Sequence, residues 1–393
     1  MESERIMREL TFMNIGSVFE RTRKSMWSTS LIGELFDVDV DFQVSTWHEV
    51  IRDDYLFPEV SGDVVVKFHH HYPDQTLTDY MKKEYGQTHL RPGTRYTEAF
   101  CSLVDRIERK IKEQIGNVVY VNSPSAIKQL RDKREMSRML IESGIPHPRV
   151  IENPTVDAIL KELDEGKPMC LKPIGGSCGR GITRVQKANE GYEVKTTWEA
   201  SDKFEPVEKS HMEILTNENF EQFLAKYVNF GCLVQEWVEP LTGMYGGEGY
   251  IFDVREVVLY PDIYGRPVTE VVRRAPPDQV TTNVAMHHMP TGYNFLKDNL
   301  GSEGIRKSRE LAMEAARIFD NLNESGVDIL WSNERFPFVI ELNAFPGHVA
   351  ASYSGVDFPL LEVLGMLESL EYDVKIDLRK LCFENTIQTL YET

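Results

Sequence analysis

Three oxygen-bearing side chains near the end of the chain have the types and spacing to act together. Glu341 and Asn343 sit in the apolar run 338–343. Successive side chains of a strand alternate faces, so these two point the same way. A second strand-like run, 327–331, precedes it across Ser332-Asn333-Glu334-Arg335 and sets Asp328 opposite to Val327 and Ile329. Two carboxylates and an amide oxygen on one side of a hairpin form the hard oxygen set that magnesium takes, usually with further oxygens from substrate phosphates. The plain alternative is the solvated face of an antiparallel pair. The turn Ala344-Phe345-Pro346-Gly347 leaves Asn343 at a strand end, where sites are usually built.

Other stretches carry cations. Lys172-Pro173-Ile174-Gly175-Gly176-Ser177-Cys178-Gly179-Arg180-Gly181 joins two strand-like runs. Its glycines let backbone N–H groups approach an anion, and Lys172 adds a point charge. No Gly-Lys-Ser/Thr opens a helix here, so it is not a Walker loop, and strand–strand flanks exclude a dinucleotide fingerprint. A bare hairpin tip would read the same. Asp253-Val254-Arg255 and Arg273-Arg274 suit phosphate or carboxylate recognition, or equally a salt-bridged surface. Gln235-Glu236-Trp237-Val238 ends an apolar strand whose backbone can read an adenine edge; a solvated edge strand would look alike.

The elements that must hold these residues form three groups. Strand-like runs at 37–44, 63–68 and 117–121, with a helix near 97–114, make an α/β N-terminal third. Ser123-Pro124 caps a helix that runs to Gly144. Strands at 169–172 and 182–186 flank the glycine turn. Residues 189–210 are polar and charge-dense and read as a connection. Phe220, Phe223, Leu224, Tyr227 and Val228 mark an amphipathic helix. Strands follow at 232–238, 250–260 and 268–273. A helix with Ile305, Ala312, Ala315, Phe319 and Leu322 on one face is stopped by Gly326, and 358–369 is helical.

The 393 residues set a prior of two to three domains. Lys+Arg of 44 against Asp+Glu of 62 gives a net charge of −18. That argues against a nucleic-acid backbone as partner, though not against a basic pocket for one nucleotide. No apolar run reaches the ~18 residues of a membrane helix. The charged N-terminus lacks a signal-type apolar stretch, so no membrane partner is expected. The five cysteines are scattered without a Cys-x-x-Cys pair, which points to a reducing, cytoplasmic setting. His69-His70-His71 reads as a strand exit, because alternation denies the three one shared metal.

From about 122 to 347 these stretches occur in one particular order, and the chain resembles the ATP-grasp superfamily in its ribosomal-protein glutamate ligase and bacterial glutathione synthetase branch. The resemblance implies an α/β chain with α+β lobes in the ATP-grasp fold. Its parts would be an N-terminal α/β domain (1–121), a small lid subdomain (122–232) and a larger C-terminal subdomain with the metal site (233–393). It implies ATP, with Mg2+ or Mn2+ on Asp328, Glu341 and Asn343. Nucleotide contacts carry over to Lys133 of Asp132-Lys133, to Lys172, to Gly175, Gly176, Ser177, Gly179 and Gly181, to the hinge Gln235, Glu236, Trp237 and Val238, and to Asp253. Arg255, Arg274 and Lys172 take the catalytic roles. Arg274 and Asn283 of Thr282-Asn283 take substrate contacts. His348, after the Pro-Gly turn, borders the substrate pocket or stands at the surface.

The implied reaction is ATP-dependent ligation of a carboxylate to an amine through an acylphosphate. The partners are a small-molecule, amino-acid or peptide carboxylate and an amine; a homo-oligomer stays open. A kinase acting on a small metabolite and a non-catalytic nucleotide-binding protein are the alternatives. Two departures fall on the acceptor side: Thr281 where the glutamate-ligase pattern carries arginine, and His287-His288 where it carries Gly-Gly. Tyr245-Gly246-Gly247-Glu248 sits in an insertion.

Overall fold

Parallel strands need long crossovers and antiparallel strands do not, and the chain uses each arrangement in turn. The structure, a computed structural model, describes residues 9–16, 39–60, 62–68, 93–176, 179, 181–198, 206–282, 290–291, 293–345 and 358–370. The first sheet is parallel in the order β2-β1-β3-β4, from β1 (Glu9–Gly16), β2 (Asp39–Thr46), β3 (Asp63–Phe68) and β4 (Val119–Tyr120). β3 is buried along all but its first residue, as a covered parallel strand must be. The helix Thr94–Gln114 buries Phe100, Leu103, Ile107 and Ile111 in the same core. β1 has no counterpart among the sequence expectations, because Thr11 and Asn14 interrupt its apolar run.

The second sheet is antiparallel, β8-β7-β6-β5-β9, from β5 (Met169–Pro173), β6 (Thr183–Lys187), β7 (Tyr192–Trp198), β8 (Pro206–Leu215) and β9 (Cys232–Glu236). Helices Val156–Asp164 and Asn217–Phe230 contribute Ile159, Leu163, Phe220 and Tyr227 to a core separate from the first. The stretch expected as a connection is thus largely β7 and β8. Tyr192, Val194 and Thr196 point inward, and Glu193 and Lys195, which made it read as loop, are the outward half of the alternation.

The third sheet is antiparallel, β13-β12-β11-β14-β15, with β10 against the start of β11. Its strands are β10 (Thr242–Tyr245), β11 (Glu248–Leu259), β12 (Thr269–Ala275), β13 (Pro290–Thr291), β14 (Glu324–Trp331) and β15 (Pro337–Asn343). The helix Tyr293–Ala316, kinked at Gly301, packs Phe295, Ile305 and Ala312 with Phe252, Val254, Val272 and Ile329. Gly326, expected as the helix stop, instead lies inside β14, paired with Asn343.

The first and third sheets share one core. Helices Pro124–Arg131 and Lys133–Glu142 add Ile127, Leu130, Met136 and Leu140 to it, so this segment belongs with the large core rather than the lid. β9 likewise crosses the expected boundary at 232/233. The one helix expected between Ser123 and Gly144 breaks at Asp132, whose extended backbone and side chain cap the second helix by accepting from Arg134 N. A buried ion pair, Lys67–Glu324 at 2.9 Å, joins β3 to β14. Among the described residues no helix is long and apolar enough to cross a membrane.

Candidate active site

Strand parity decides which residues of the third sheet face the second. Val254 and Val258 of β11 turn toward the core with Phe295, so Asp253 and Arg255 turn the other way. Across the ladders Arg273 opposes Asp253, and Asp328 opposes Arg255. Arg255 Nε and Nη2 donate to the two oxygens of Asp328 at 2.7 and 2.8 Å. Arg273 Nε donates to Asp253 Oδ1 at 2.7 Å, its Nη2 donates to the second oxygen, and that Nη2 also stands 3.0 Å from Asp328 Oδ2. Burial pushes the Asp328 carboxyl up, but Arg255 and Arg273 together outweigh it and hold it below the ordinary range. Burial pushes Arg273 down, and Asp253 with Asp328 more than reverses that. Asp328 and Arg273 therefore stay charged at neutral pH.

Arg274 is a correction. Its guanidinium lies over the rings of Tyr245 and Tyr250, 3.8 and 4.6 Å from their centroids, on the face away from the cleft. Its neighbour Arg273 lines the cleft instead. A shift of one residue along a strand is a change of face. The signal that finds Arg273 is its pairing with Asp253, which needs the strand register.

Glu341 reaches the cleft through a bulge. The β14–β15 ladder pairs Trp331 with Pro337 and Ile329 with Val339, then shifts so that Asp328 opposes Glu341 and Gly326 opposes Asn343. Ile340 is the extra residue. Without it Asp328 would oppose Ile340, and Glu341 would fall on the other face. Lys133 Nζ donates to Glu341 Oε1 at 2.7 Å and to Gly176 O at 2.8 Å. The Asn343 amide orientation that satisfies both its groups sets its oxygen 3.1 Å from Arg255 Nη2 and its nitrogen 3.3 Å from Glu341 Oε1. Lys172 Nζ reaches Ile340 O at 3.5 Å.

Between the second and third sheets lies an open cleft. Lys172, Gln235, Glu236, Trp237 and Val238 line one side, and Asp253, Arg273, Asp328 and Glu341 the other. Gln235 Oε1 is buried without a partner, an orphan that a heterocyclic amine would satisfy. The Trp237 ring lies 5.5 Å from the Arg184 guanidinium, and its Nε1 donates to Glu239. The glycine turn is anchored at both ends. Gly175 and Gly176 follow β5, and Gly176 O takes Lys133. Gly179 O accepts from Thr197 Oγ1 at 3.0 Å, and Gly181 O from the Tyr227 hydroxyl at 2.6 Å. Gly181 has φ +78°, and a Cβ there would meet Pro173 at 2.6 Å and Trp198 at 2.8 Å, so only glycine fits. Thr281 and Thr282 also line the cleft, beside Val280, whose N–H donates to Ser210 of β8. Ser177, Asn283, His348 and the triplet His69–His71 lie outside the described residues.

Asp328, Glu341 and Asn343 offer a magnesium-sized ion hard oxygens from neighbouring strands. Among the described residues no group of three His, Cys, Asp or Glu is placed to hold a metal ion. An ion held here would therefore depend on the Asn343 amide and on oxygens of its ligand.

A family model described as YheC/D-like ATP-grasp matches residues 117–357. A probable alpha-L-glutamate ligase of Haemophilus influenzae is 22% identical over 302 residues, covering 76% of this chain and 81% of that protein. A tetrahydromethanopterin:alpha-L-glutamate ligase of Methanosarcina acetivorans is 32% identical over 73 residues, 19% of this chain, and the match spans only 22% of that relative's length. Among solved structures, a D-cycloserine synthetase shares the fold over 92% of this chain and 99% of that one, at TM-score 0.56 and 12% identity. A macrocyclase from Microcystis aeruginosa, bound with its precursor peptide, does so over 91% and 98%, at TM-score 0.50 and 10% identity. These two likenesses concern the fold alone.

Proposed function

The chain belongs to the YheC/D-like ATP-grasp family, and from that premise we propose that it is an ATP-dependent ligase joining a carboxylate to an amine through an acylphosphate. The observation that carries the reading is one cleft with Lys172 and Gln235 on one wall and Asp328, Glu341 and Arg273 on the other. A substrate carboxylate oxygen attacks the γ-phosphorus of ATP, the bond to the bridging oxygen breaks, and ADP leaves. The amine nitrogen then attacks the acyl carbon, loses a proton, and phosphate departs.

Each residue has a part in that sequence. Gln235 and the hinge through Val238 take the adenine, and Asp253 takes the ribose side. Lys133 and Lys172 neutralise phosphate charge. Arg255 and Arg273 face the negative charge that grows on the transferring group and on the tetrahedral intermediate. The glycine turn from Gly175 to Gly181 acts as lid and keeps water from the acylphosphate. A magnesium or manganese ion held by Asp328, Glu341 and Asn343 would supply Lewis-acid charge toward the phosphates.

The balance of charge supports a ligase over a kinase for polyanionic metabolites. Among the described lining residues, Glu236, Asp253, Asp328 and Glu341 outnumber Lys172 and Arg273. Thr281 and Thr282 put hydroxyl groups rather than guanidinium groups at their places in the cleft, which suits an amino-acid, peptide or small-molecule substrate of low negative charge. The free cysteines Cys101, Cys170 and Cys232 agree with a cytoplasmic setting.

Protein incubated with ATP, magnesium and pooled amino acids is expected to release ADP and yield an amide detectable by mass spectrometry. Phosphorylated products without an amide would overturn the ligation. Glu341→Ala and Lys172→Ala should each lower amine-dependent ADP release by at least about a hundredfold; normal turnover in both sinks the site assignment.

A further inference from the structure

β15 is the edge strand of its sheet, and a bulge on an edge strand has lost ladder pairing that would resist slippage. Groups from outside the sheet compensate. Val339, the residue before the extra Ile340, donates its N–H to Pro146 O at 2.8 Å, and His147 Nδ1 lies 2.6 Å from Val339 O. A carbonyl only accepts, so Nδ1 carries the proton and the ring is its neutral Nδ1–H tautomer. Burial first, and the charge of Lys172 second, hold His147 down at about 4, so this form persists at neutral pH. Residues 146–147 thus add one rung of pairing to the outer edge of β15, while Pro148 lines the cleft. The far end of the strand is held in a similar way: Asn122 Nδ2 donates to Ala344 O at 2.7 Å and to Glu324 O at 2.8 Å.

We propose that His147 is a positioning residue of the cleft, whose Nδ1–H bond to Val339 O fixes the bulge at Ile340 and so holds Glu341 on the cleft face and the Ile340 carbonyl beside Lys172. The roles of Glu341 and Lys172 rest on the ligase reading; the clamp on β15 does not. Asparagine in place of His147 puts an amide nitrogen where Nδ1 stands, and glutamine puts it nearer the place of Nε2. His147→Gln should therefore bind Mg·ADP about tenfold more weakly, the equivalent of one lost buried hydrogen bond, while His147→Asn stays within about twofold of the parent.

Calorimetric titration of the full chain with Mg·ADP reads the affinities. Hydrogen exchange of amides 339–343 reads the clamp without nucleotide, and should quicken in His147→Gln alone. Nitrogen-15 NMR of the unaltered protein reads the tautomer and needs no variant to fold. Parent-like affinity and exchange in His147→Gln would overturn the proposal. Equal impairment of both variants would also do so, since it would mean that the ring only fills space. An Nε2–H tautomer would overturn it as well. If the unaltered protein fails to bind Mg·ADP, the ligase reading falls, and exchange and tautomer still decide the clamp.

Discussion

The two faces of the third sheet treat buried charge in opposite ways. On the cleft face Arg255, Asp328, Arg273 and Asp253 exchange forked bonds, so each carboxylate oxygen of the two aspartates has a donor. On the back face Glu256 is fully buried with both oxygens unpartnered. Its neighbour Glu270 commits both oxygens to Arg309, at 2.9 Å each. Arg274, on the same side, keeps Nε and Nη1 buried without acceptors, between two tyrosine rings. Burial first, then repulsion from Glu270, pushes the Glu256 carboxyl well above the ordinary range despite Arg309. The cleft face holds its ionised groups by pairing; the back face avoids one charge by keeping a proton. Only the first arrangement leaves charges available for exchange with a ligand.

Breaking the cleft-face network should give the largest effect. Asp328→Ala leaves two arginines without the carboxylate they share. It is expected to cost about 3–5 kcal/mol in urea unfolding and to abolish Mg·ADP binding. A loss under about 1 kcal/mol would place the network with ordinary surface pairs and dissolve the contrast.

The back face should respond with the opposite sign. The native state holds the Glu256 proton more tightly than the unfolded chain, so stability declines as pH rises above the ordinary carboxyl range. Glu256→Gln has no such proton to lose. It should be more stable than the parent by about 1–2 kcal/mol at pH 8, with the gap closing below about pH 4.5, where the unfolded carboxyl is neutral too. Denaturation curves at several pH values check this, and a gap independent of pH would mean that ionisation is not its cause.

The smallest effect is expected at Arg274. Arg274→Ala removes the stacking on Tyr245 and Tyr250 and should cost about 1 kcal/mol, with Mg·ADP affinity within about twofold. A tenfold fall in that affinity would return Arg274 to the site and erase the distinction between faces.

Legibility followed the range of the signal. The hairpin carrying Asp328, Glu341 and Asn343, the glycine turn after Lys172 and the apolar strand 63–68 are local patterns, and the structure has strands and a turn there. The β7–β8 ladder was not legible, because Glu193 and Lys195 gave a half-exposed strand the composition of a loop. The split of one apparent helix at Asp132 was hidden as well, since the apolar spacing runs on across the break. The contact between Lys133 and Glu341 joins residues far apart in the chain, and no spacing rule reports it.

The ATP-grasp family and fold are readable from the order of residues alone, because the stretches from Lys133 to Asn343 are one-dimensional and survive without coordinates. Which arginine enters the cleft was decided only in the tertiary structure, since Arg273 and Arg274 differ by parity and the register with Asp253 sets that parity. The face of Glu341 was decided there too. Period-two alternation puts Glu341 and Asn343 together, but only the extra residue at Ile340 turns them to the side of Asp328. A bulge is a property of two paired strands, and neither strand alone encodes it.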